Sequence, residues 1–397
     1  MGRKRRIAFI VPRYEPVSAG GAEVHAQRLA EKVKERGHNV EVFTTCARDH
    51  FTWKNFYEPG KKMINDIRVW RFRVNLNRRA DEFLAIQSRI DRRLDISGEE
   101  EIKWVKESVN SDELYDYIAK YRRNYDCFIF IPYLFGLTYW GTQVCPEKSI
   151  LIPCLHDEPF AYLKIYKDLF HRVKGLMCNT FPEIELAKEL YRLPDEKITM
   201  VSLGFETGRR YNPENFRKKY ALRAPFVLFA GRREGGKNTP LLIEYFRTYK
   251  RYNKNDLKLV LMGTGEVNIP PEGRKEILDL GYLKEAGDKL GGFSAALVFC
   301  QPSVNESLSI VTMESWLSGR PVLVHHDCRV TRDNCRRSRG GLFFKNYFEF
   351  EECLNFFLRE KELADRMGEN GRRYVEKNYS WPAVLDRFEE ALDKFGV

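Results

Sequence analysis

The chain has 397 residues, 43% hydrophobic and 31% charged, with 67 Lys and Arg against 56 Asp and Glu for a formal charge of +11. This is a globular composition long enough for two domains, and no apolar run reaches the ~20 residues of a membrane-spanning helix. The nine cysteines show no C-x-x-C spacing, so they offer neither a disulfide framework nor a zinc site, while the basic balance favours phosphate in some form: nucleotide, nucleic acid or anionic lipid.

Residues 7–11 (IAFIV) form a first strand behind the basic lead MGRKRR. The apolar part is too short for a signal peptide and Pro12-Arg13 follows it, so the expected compartment is the cytosol. A loop then ends in Gly20-Gly21, residues 22–36 have helical spacing with Gly37 as stop, and residues 40–44 form a second strand. Strand, Gly-rich loop and helix make the doubly wound start that sets an anion at a helix N-terminus. The dinucleotide fingerprint G-x-G-x-x-G is not present.

Residues 67–74 are another strand. Residues 77–123 read as an insert of two or three amphipathic helices. They either pack against the first sheet or form an acceptor-recognising or membrane-facing surface, since Arg78, Arg79, Arg89, Arg92 and Arg93 lie among aliphatic residues. Strands follow at 127–131 and 150–154. His156-Asp157 comes directly after the second, at the end of a strand where open α/β sheets bind ligands. A strand at 175–178, a helix at 182–191 and a strand at 198–201 complete a first domain over 1–206, and the polar, basic residues 207–224 read as a linker.

The second domain, 225–380, opens with a strand at 226–230. Gly231-Arg232-Arg233-Glu234-Gly235-Gly236-Lys237-Asn238 follows, then a helix over 240–252. Strands at 257–262 and 277–280 and a helix at 284–290 lead to residues 295–325, AALVFCQPSVNESLSIVTMESWLSGRPVLVH. That stretch reads as a strand at 295–300, a loop from Pro302, a helix over 309–318 stopped by Gly319, and a strand at 321–325. Glu306 and Glu314, eight positions apart, frame the backbone N–H groups of Ser307, Leu308, Ser309 and Ile310 at the helix start. Unpaired amides and the helix dipole suit a phosphate, and the carboxylates suit sugar hydroxyls. Residues 329–339 read as a basic loop. Helices over 348–358, 361–376 and 383–395 close the chain, with Trp381-Pro382 as a crossing point to the first domain.

Taken together, the Glu306…Glu314 motif, Arg232-x4-Lys237, Gly20-Gly21-Ala-Glu and His156-Asp157 resemble the motifs of the GT4 family of retaining glycosyltransferases. The resemblance covers nearly the whole chain and is strongest from 226 to 325. It implies the GT-B fold: two Rossmann-like, doubly wound parallel-sheet domains facing across a cleft, with 381–397 crossing back to the first. It implies transfer of a hexose from a UDP- or GDP-linked sugar to an acceptor hydroxyl, in glycan or glycolipid synthesis. Arg232 and Lys237 would face the diphosphate, Glu306 the donor sugar, Glu314 the ribose, and Gly231 with the amides of 307–310 the phosphates. Gly20, Gly21 and His156 would serve the acceptor side. No cofactor and no metal is implied, and no Asp-x-Asp occurs. The partners implied are a nucleotide-sugar donor and a glycan, lipid-linked or small-molecule acceptor, with an anionic membrane surface kept open. Nucleic acid is not expected, because the basic residues are not gathered on one helix. Three other readings stay open: a nucleotide-sugar epimerase of this fold, a basic non-enzymatic binder of phosphates or nucleic acid, and a catalytically silent binder of sugar nucleotides.

Overall fold

The computed structural model describes residues 3–15, 20–50, 52–76, 78–209, 211–233 and 235–397. Residues 16–19 of the first Gly-rich loop, and Arg210 and Glu234, which the sequence reading placed in the linker and in the second basic loop, lie outside the described residues. The chain divides into two compact units. One comprises Met1–Gly204 with Trp381–Val397, and the other Phe205–Ser380.

The first unit runs β1 (Arg6–Ile10), α1 (Gly21–Glu35), β2 (Asn39–Thr45), β3 (Gly60–Ile64), β4 (Ile67–Phe72), α2 (Ala80–Asp91), α3 (Gly98–Glu107), α4 (Asp112–Tyr121), β5 (Cys127–Phe130), α5 (Gly136–Val144), β6 (Ser149–Leu151), α6 (Lys164–Arg172), β7 (Gly175–Cys178), α7 (Phe181–Tyr191) and β8 (Ile198–Met200). Its eight strands lie in the order β3-β4-β2-β1-β5-β6-β7-β8. All pairs are parallel except β3–β4, a hairpin closed by Asn65 and Asp66 in the left-handed region, at φ 47° and 61°. The central strands carry apolar residues on both faces (Ile7, Ala8, Phe9 and Ile10 are at most 1% exposed), as a sheet covered by helices on both sides requires.

The insert is three helices, and it packs. Trp104 of α3 stacks between Phe83 and Phe160, with ring centroids 5.8 and 5.2 Å away. Ile86, Ile90, Leu114 and Ile118 join the core of the sheet. Its arginines are largely taken up internally: Arg89 pairs with Glu100, Arg79 with Glu82 at 2.9 Å, and Arg78 Nε donates to the Glu107 carbonyl at 2.8 Å.

The second unit runs α8 (Pro213–Lys219), β9 (Phe226–Ala230), α9 (Thr239–Tyr252), β10 (Lys258–Met262), β11 (Ile277–Gly281), α10 (Ala286–Ala295), β12 (Val298–Gln301), α11 (Ile310–Leu317), β13 (Val322–His325), α12 (Arg329–Ser338), β14 (Gly341–Phe344), α13 (Tyr347–Arg359) and α14 (Lys361–Tyr379). Its six strands, all parallel, lie in the order β11-β10-β9-β12-β13-β14. The helix α15 (Trp381–Lys394) belongs to the first unit. There Phe388 stacks on Phe9 with centroids 6.4 Å apart, and a β-carbon on Gly175 would lie 2.6 Å from the Phe395 ring. These two parallel-sheet α/β units are the GT-B architecture.

The structure corrects several local readings. The segment 207–224 contains α8, capped by Asn212 accepting from the Glu214 amide at 2.9 Å. Phe216 of α8 is 2% exposed and packs on the glycines of α10, 3.1 Å from where a Gly292 β-carbon would be. Ala295 ends a helix instead of starting a strand, because Ala296 turns to an extended conformation only after two closing bonds to Gly292 and Phe293. Residues 329–338, read as a basic loop, are α12. Its arginines face outward, while Val330, Thr331, Asn334, Cys335 and Ser338 are buried.

Candidate active site

The donor-type motifs all fall at one end of the six-stranded sheet, in the turns that leave β9, β10 and β12. The first two turns touch through glycine. Gly231 and Gly263 have φ of 152° and 130°, and a β-carbon on Gly263 would lie 1.9 Å from the Gly231 carbonyl oxygen. No other residue permits that approach. Of the two arginines after Gly231, Arg233 is the buried one, with its side chain 3% exposed. Its guanidinium grips Asp279 of β11 with both terminal nitrogens, one at 2.6 Å, and donates to the Gly265 carbonyl at 3.0 Å. Arg233 therefore braces the turn, and the exposed Arg232 is the member of the pair that presents its charge at the surface.

Lys237 stands on the single 3-10 turn Gly235–Lys237. Its Nζ donates to Glu306 Oε1 at 2.6 Å. Gln301, at the end of β12 and 1% exposed, donates to the same oxygen at 2.7 Å and to Ser303 Oγ at 3.1 Å. Asn238, in the left-handed region at φ 53°, donates from Nδ2 to the Pro302 carbonyl at 3.3 Å. The Arg-x4-Lys turn and the Glu306 loop are thus stitched together through the lysine, the glutamine and the asparagine. The structure brings Lys237 and Glu306 into contact although 69 positions separate them.

The helix of the motif starts one residue later than the sequence suggested. Ser309 is its N-cap, in the left-handed region at φ 68°, with its hydroxyl 2.8 Å from that of Thr312 and no side-chain cap on the amides. The Thr312 amide turns back to the Ser309 carbonyl at 3.2 Å. The amides that open the helix are therefore those of Ile310 and Val311, while Leu308 and Ser309 are each 5% exposed and Ser307 lies in the preceding loop. Such an uncapped start is a seat for a phosphate. One turn on, Glu314 is held by Lys289 of α10, with Nζ 2.8 Å from Oε1 and 2.6 Å from Oε2. Trp316 fixes the helix in place: it is fully buried, donates from Nε1 to the Gly340 carbonyl at 2.8 Å, and lies so close to α14 that a β-carbon on Gly371 would be 2.0 Å from its Cδ1.

Within the first unit, Gly20 caps α1 and Gly21 is its first residue. A β-carbon on Gly20 would meet Glu23 Oε2 at 1.9 Å, whereas Gly21 faces open space. Glu23 is paired with Arg13, whose Nε lies 3.1 Å away. His156 sits on the loop after β6, partly exposed, with Nδ1 3.4 Å from Glu158 Oε2 but out of hydrogen-bond alignment. Asp157 accepts from the Tyr162 hydroxyl at 2.8 Å and Glu158 from Tyr133 at 2.7 Å. The loop is anchored from below by Glu183, in the first turn of α7, which takes the Leu155 amide at 2.6 Å and the Asn179 amide. Burial pushes the Glu183 carboxyl up to about 8.

Sequence reasoning did not single out Gln301, Lys289, Arg233 or Glu183. Only Glu183 left a local signal, in Thr180-x-x-Glu183 at the start of an apolar helix. Among the described residues no three His, Cys, Asp or Glu gather as a metal-ligand set, and no helix is long and apolar enough to cross a membrane.

Residues 212–374 match the family model for glycosyl transferases group 1. The chain is 22% identical over 407 residues to an uncharacterized glycosyltransferase of Methanocaldococcus jannaschii, across 96% of this chain and 95% of that protein. It is 26% identical over 237 residues to the lipopolysaccharide 1,2-N-acetylglucosaminetransferase of Salmonella typhimurium, across 51% of this chain and 58% of that one. Among solved structures, sucrose-phosphate synthase from Thermosynechococcus elongatus superposes with a TM-score of 0.72 at 16% identity, over 98% of this chain and 99% of that one. Anabaena HepE in complex with UDP gives 0.72 at 14% identity, with the same coverage. At these identities the structural likeness speaks to the fold.

Proposed function

We propose that the chain is a group 1 glycosyltransferase, as the family model over residues 212–374 and the full-length likeness to a glycosyltransferase support, and that it is a retaining, metal-independent hexosyltransferase that uses a nucleoside-diphosphate sugar and builds a glycan or glycolipid. One observation carries the reading: Lys237 and Gln301 converge on a single oxygen of Glu306, in the loop that runs into the uncapped start of α11. A cation and a carboxylate are there held together by hydrogen bonds that exist before any ligand arrives, and preorganised charge of this kind is the main source of rate in group transfer.

In the proposed reaction the bond from the anomeric carbon to the diphosphate oxygen breaks and the acceptor oxygen bonds to that carbon on the same face. The acceptor proton passes to the departing diphosphate. Arg232 and Lys237 offset the charge that grows on the leaving group, the amides of Ile310 and Val311 hold phosphate, Glu306 orients the hexose hydroxyls and Glu314 the ribose. UDP is the favoured nucleotide, because structural neighbours were solved with UDP and UDP-glucose. Gly20, Gly21 and His156 are assigned to the acceptor side. A membrane-bound acceptor remains compatible with the basic chain.

The test is a thermal-shift panel of UDP, GDP and ADP with their sugars, on wild type and Glu314→Ala, followed by nucleotide release with and without acceptor and with EDTA. A nucleotide that raises the wild-type midpoint by mass action and loses most of that effect in the variant supports the donor site. Release of nucleotide that needs no acceptor would point to an epimerase. Loss of turnover in EDTA would remove metal independence.

A further inference from the structure

Arg71 is a buried cation in the first unit, and among the described residues no carboxylate forms a salt bridge with it. It lies near the C-terminal end of β4 and is 6% exposed. Nη2 donates to the Tyr14 carbonyl at 3.0 Å, and Cζ stands 3.8 Å from the centroid of the Tyr57 ring. Nε has no hydrogen-bond partner. The acidic group that Arg71 feels is Glu15, whose carboxylate already accepts from the Tyr57 hydroxyl. Burial lowers the guanidinium pKa, with Tyr57, Cys46 and Glu15 pulling it back. Directly across the ladder, in register on β2, Thr44 is fully buried and its Oγ1 is unpartnered as well. Paired residues of neighbouring strands point to the same face, so both side chains leave the sheet on one side.

Leaving a charge buried and unpaired is costly, because the hydration lost is not replaced. The other deeply buried arginines show what this chain does by default: Arg5 pairs with Asp393 and Arg233 with Asp279. Both orphans also sit at the end of the parallel strands where open sheets bind their ligands. We infer that Arg71 and Thr44 form an oxyanion seat, and therefore that the acceptor carries a phosphate or carboxylate group. This rests on the reading that the first unit takes the acceptor. It adds the chemical class of that acceptor.

The experiment compares the thermal midpoints of wild type, Arg71→Met and Arg71→Lys, with UDP saturating so that the donor site is filled. Sodium chloride holds the ionic strength constant. The probes are inorganic phosphate, glucose 6-phosphate, glucuronate and glucose. Because Met keeps the packing and removes the unpaired charge, Arg71→Met without probe is expected to melt higher than wild type, by roughly 2–4 °C for each kcal/mol recovered. Wild type should be stabilised by glucose 6-phosphate or glucuronate but not by glucose, Arg71→Lys less so, and Arg71→Met not at all. Comparing the two charged sugars tells phosphate from carboxylate. The proposal is overturned if Arg71→Met melts lower than wild type, if no anion moves wild type, or if the anions move Arg71→Met equally. UDP alone, measured alongside, separates the two claims. If it stabilises wild type and Arg71→Met alike, the donor reading stands whatever the anions do. If it stabilises neither, the donor reading falls. If it fails only with Arg71→Met, Arg71 serves the donor and the inference is wrong.

Discussion

The two sheet ends differ in what meets their buried cations. At the end of the six-stranded sheet the cations Lys237, Lys289 and Arg233 each meet a carboxylate, of Glu306, Glu314 and Asp279, although Arg233 Nε, Gln301 Oε1 and Glu314 Oε2 have no hydrogen-bond partner. At the corresponding end of the eight-stranded sheet the buried cation, Arg71, has no carboxylate in a salt bridge among the described residues, and further buried polar atoms stand without partners. They include Arg71 Nε, Thr44 Oγ1, His25 Nε2, Ser202 Oγ and Asn179 Oδ1. The first arrangement suits a ligand whose chemistry is fixed, a diphosphate with hydroxyls, since the groups are already aimed and little has to reorganise. The second suits a ligand that supplies the missing partners. Relatives that share the donor chemistry need not share what they glycosylate, and the unpartnered end is where this chain has room to differ.

If the paired end is held by packing, its most damaging lesion lies behind the charges. Trp316→Ala is expected to cost about 3–5 kcal/mol, the range for emptying a large aromatic site, read as a lower urea midpoint. An unchanged midpoint would mean that α11 is held by something other than its contact with Gly340 and Gly371. Next comes Lys237→Ala. Removing one preorganised donor from a group-transfer site costs roughly 100- to 1,000-fold in turnover, so kcat should fall that far with the melting temperature little changed. A normal kcat would dissolve the distinction between the two ends. At the unpartnered end, burial lowers the pKa of His25 to about 4 from 6.5. The unfolded chain takes up that proton and the folded chain does not, so the contribution is complete above pH 6.5 and is lost as pH falls towards 4. Between pH 6.5 and 5 wild type should lose about 1.6 kcal/mol more than His25→Asn, the slope rising towards 1.36 kcal/mol per pH unit as the unfolded imidazole becomes fully protonated. Parallel pH–stability curves would show that His25 is not held neutral. The smallest effect is Lys289→Met, which frees Glu314 to swing. Nucleotide affinity should fall about tenfold, ~1.4 kcal/mol, and calorimetry with UDP and 2′-deoxy-UDP should show the preference for the ribose hydroxyl fading with it.

Much of the architecture was legible in the letters. The strands 175–178 and 226–230 agree with the structure residue for residue, because short apolar runs between turn residues leave little choice. The Glu306…Glu314 spacing, the Arg232-x4-Lys237 turn and the His156 loop lie where a strand ends, as their order in the sequence demanded. What escaped the sequence has a common cause. The helix α12 buries Thr331, Asn334, Cys335 and Ser338 in place of an apolar stripe, so its periodicity is invisible on a hydropathy basis. The hairpin strand β3, GKKMI, has four exposed residues of five and lacks the alternation of a half-buried strand. Lys61 and Lys62 on that edge discourage pairing with another chain. Gln301 and Lys289 acquire meaning only when the sheet register brings them to Glu306 and Glu314, and no local pattern encodes that.

The placement of residues 381–397 with the first 204 has a consequence in time. A ribosome emits the eight-stranded sheet first, then the whole of the six-stranded one, and only afterwards the helix that covers Phe9 and Gly175. The first unit begun is the last one finished. Until α15 emerges, an apolar strip of that sheet stays bare while the second unit already has every residue of its own core. A chain released after Ser380 should therefore carry a protease-resistant second half on a first half that chaperones still hold.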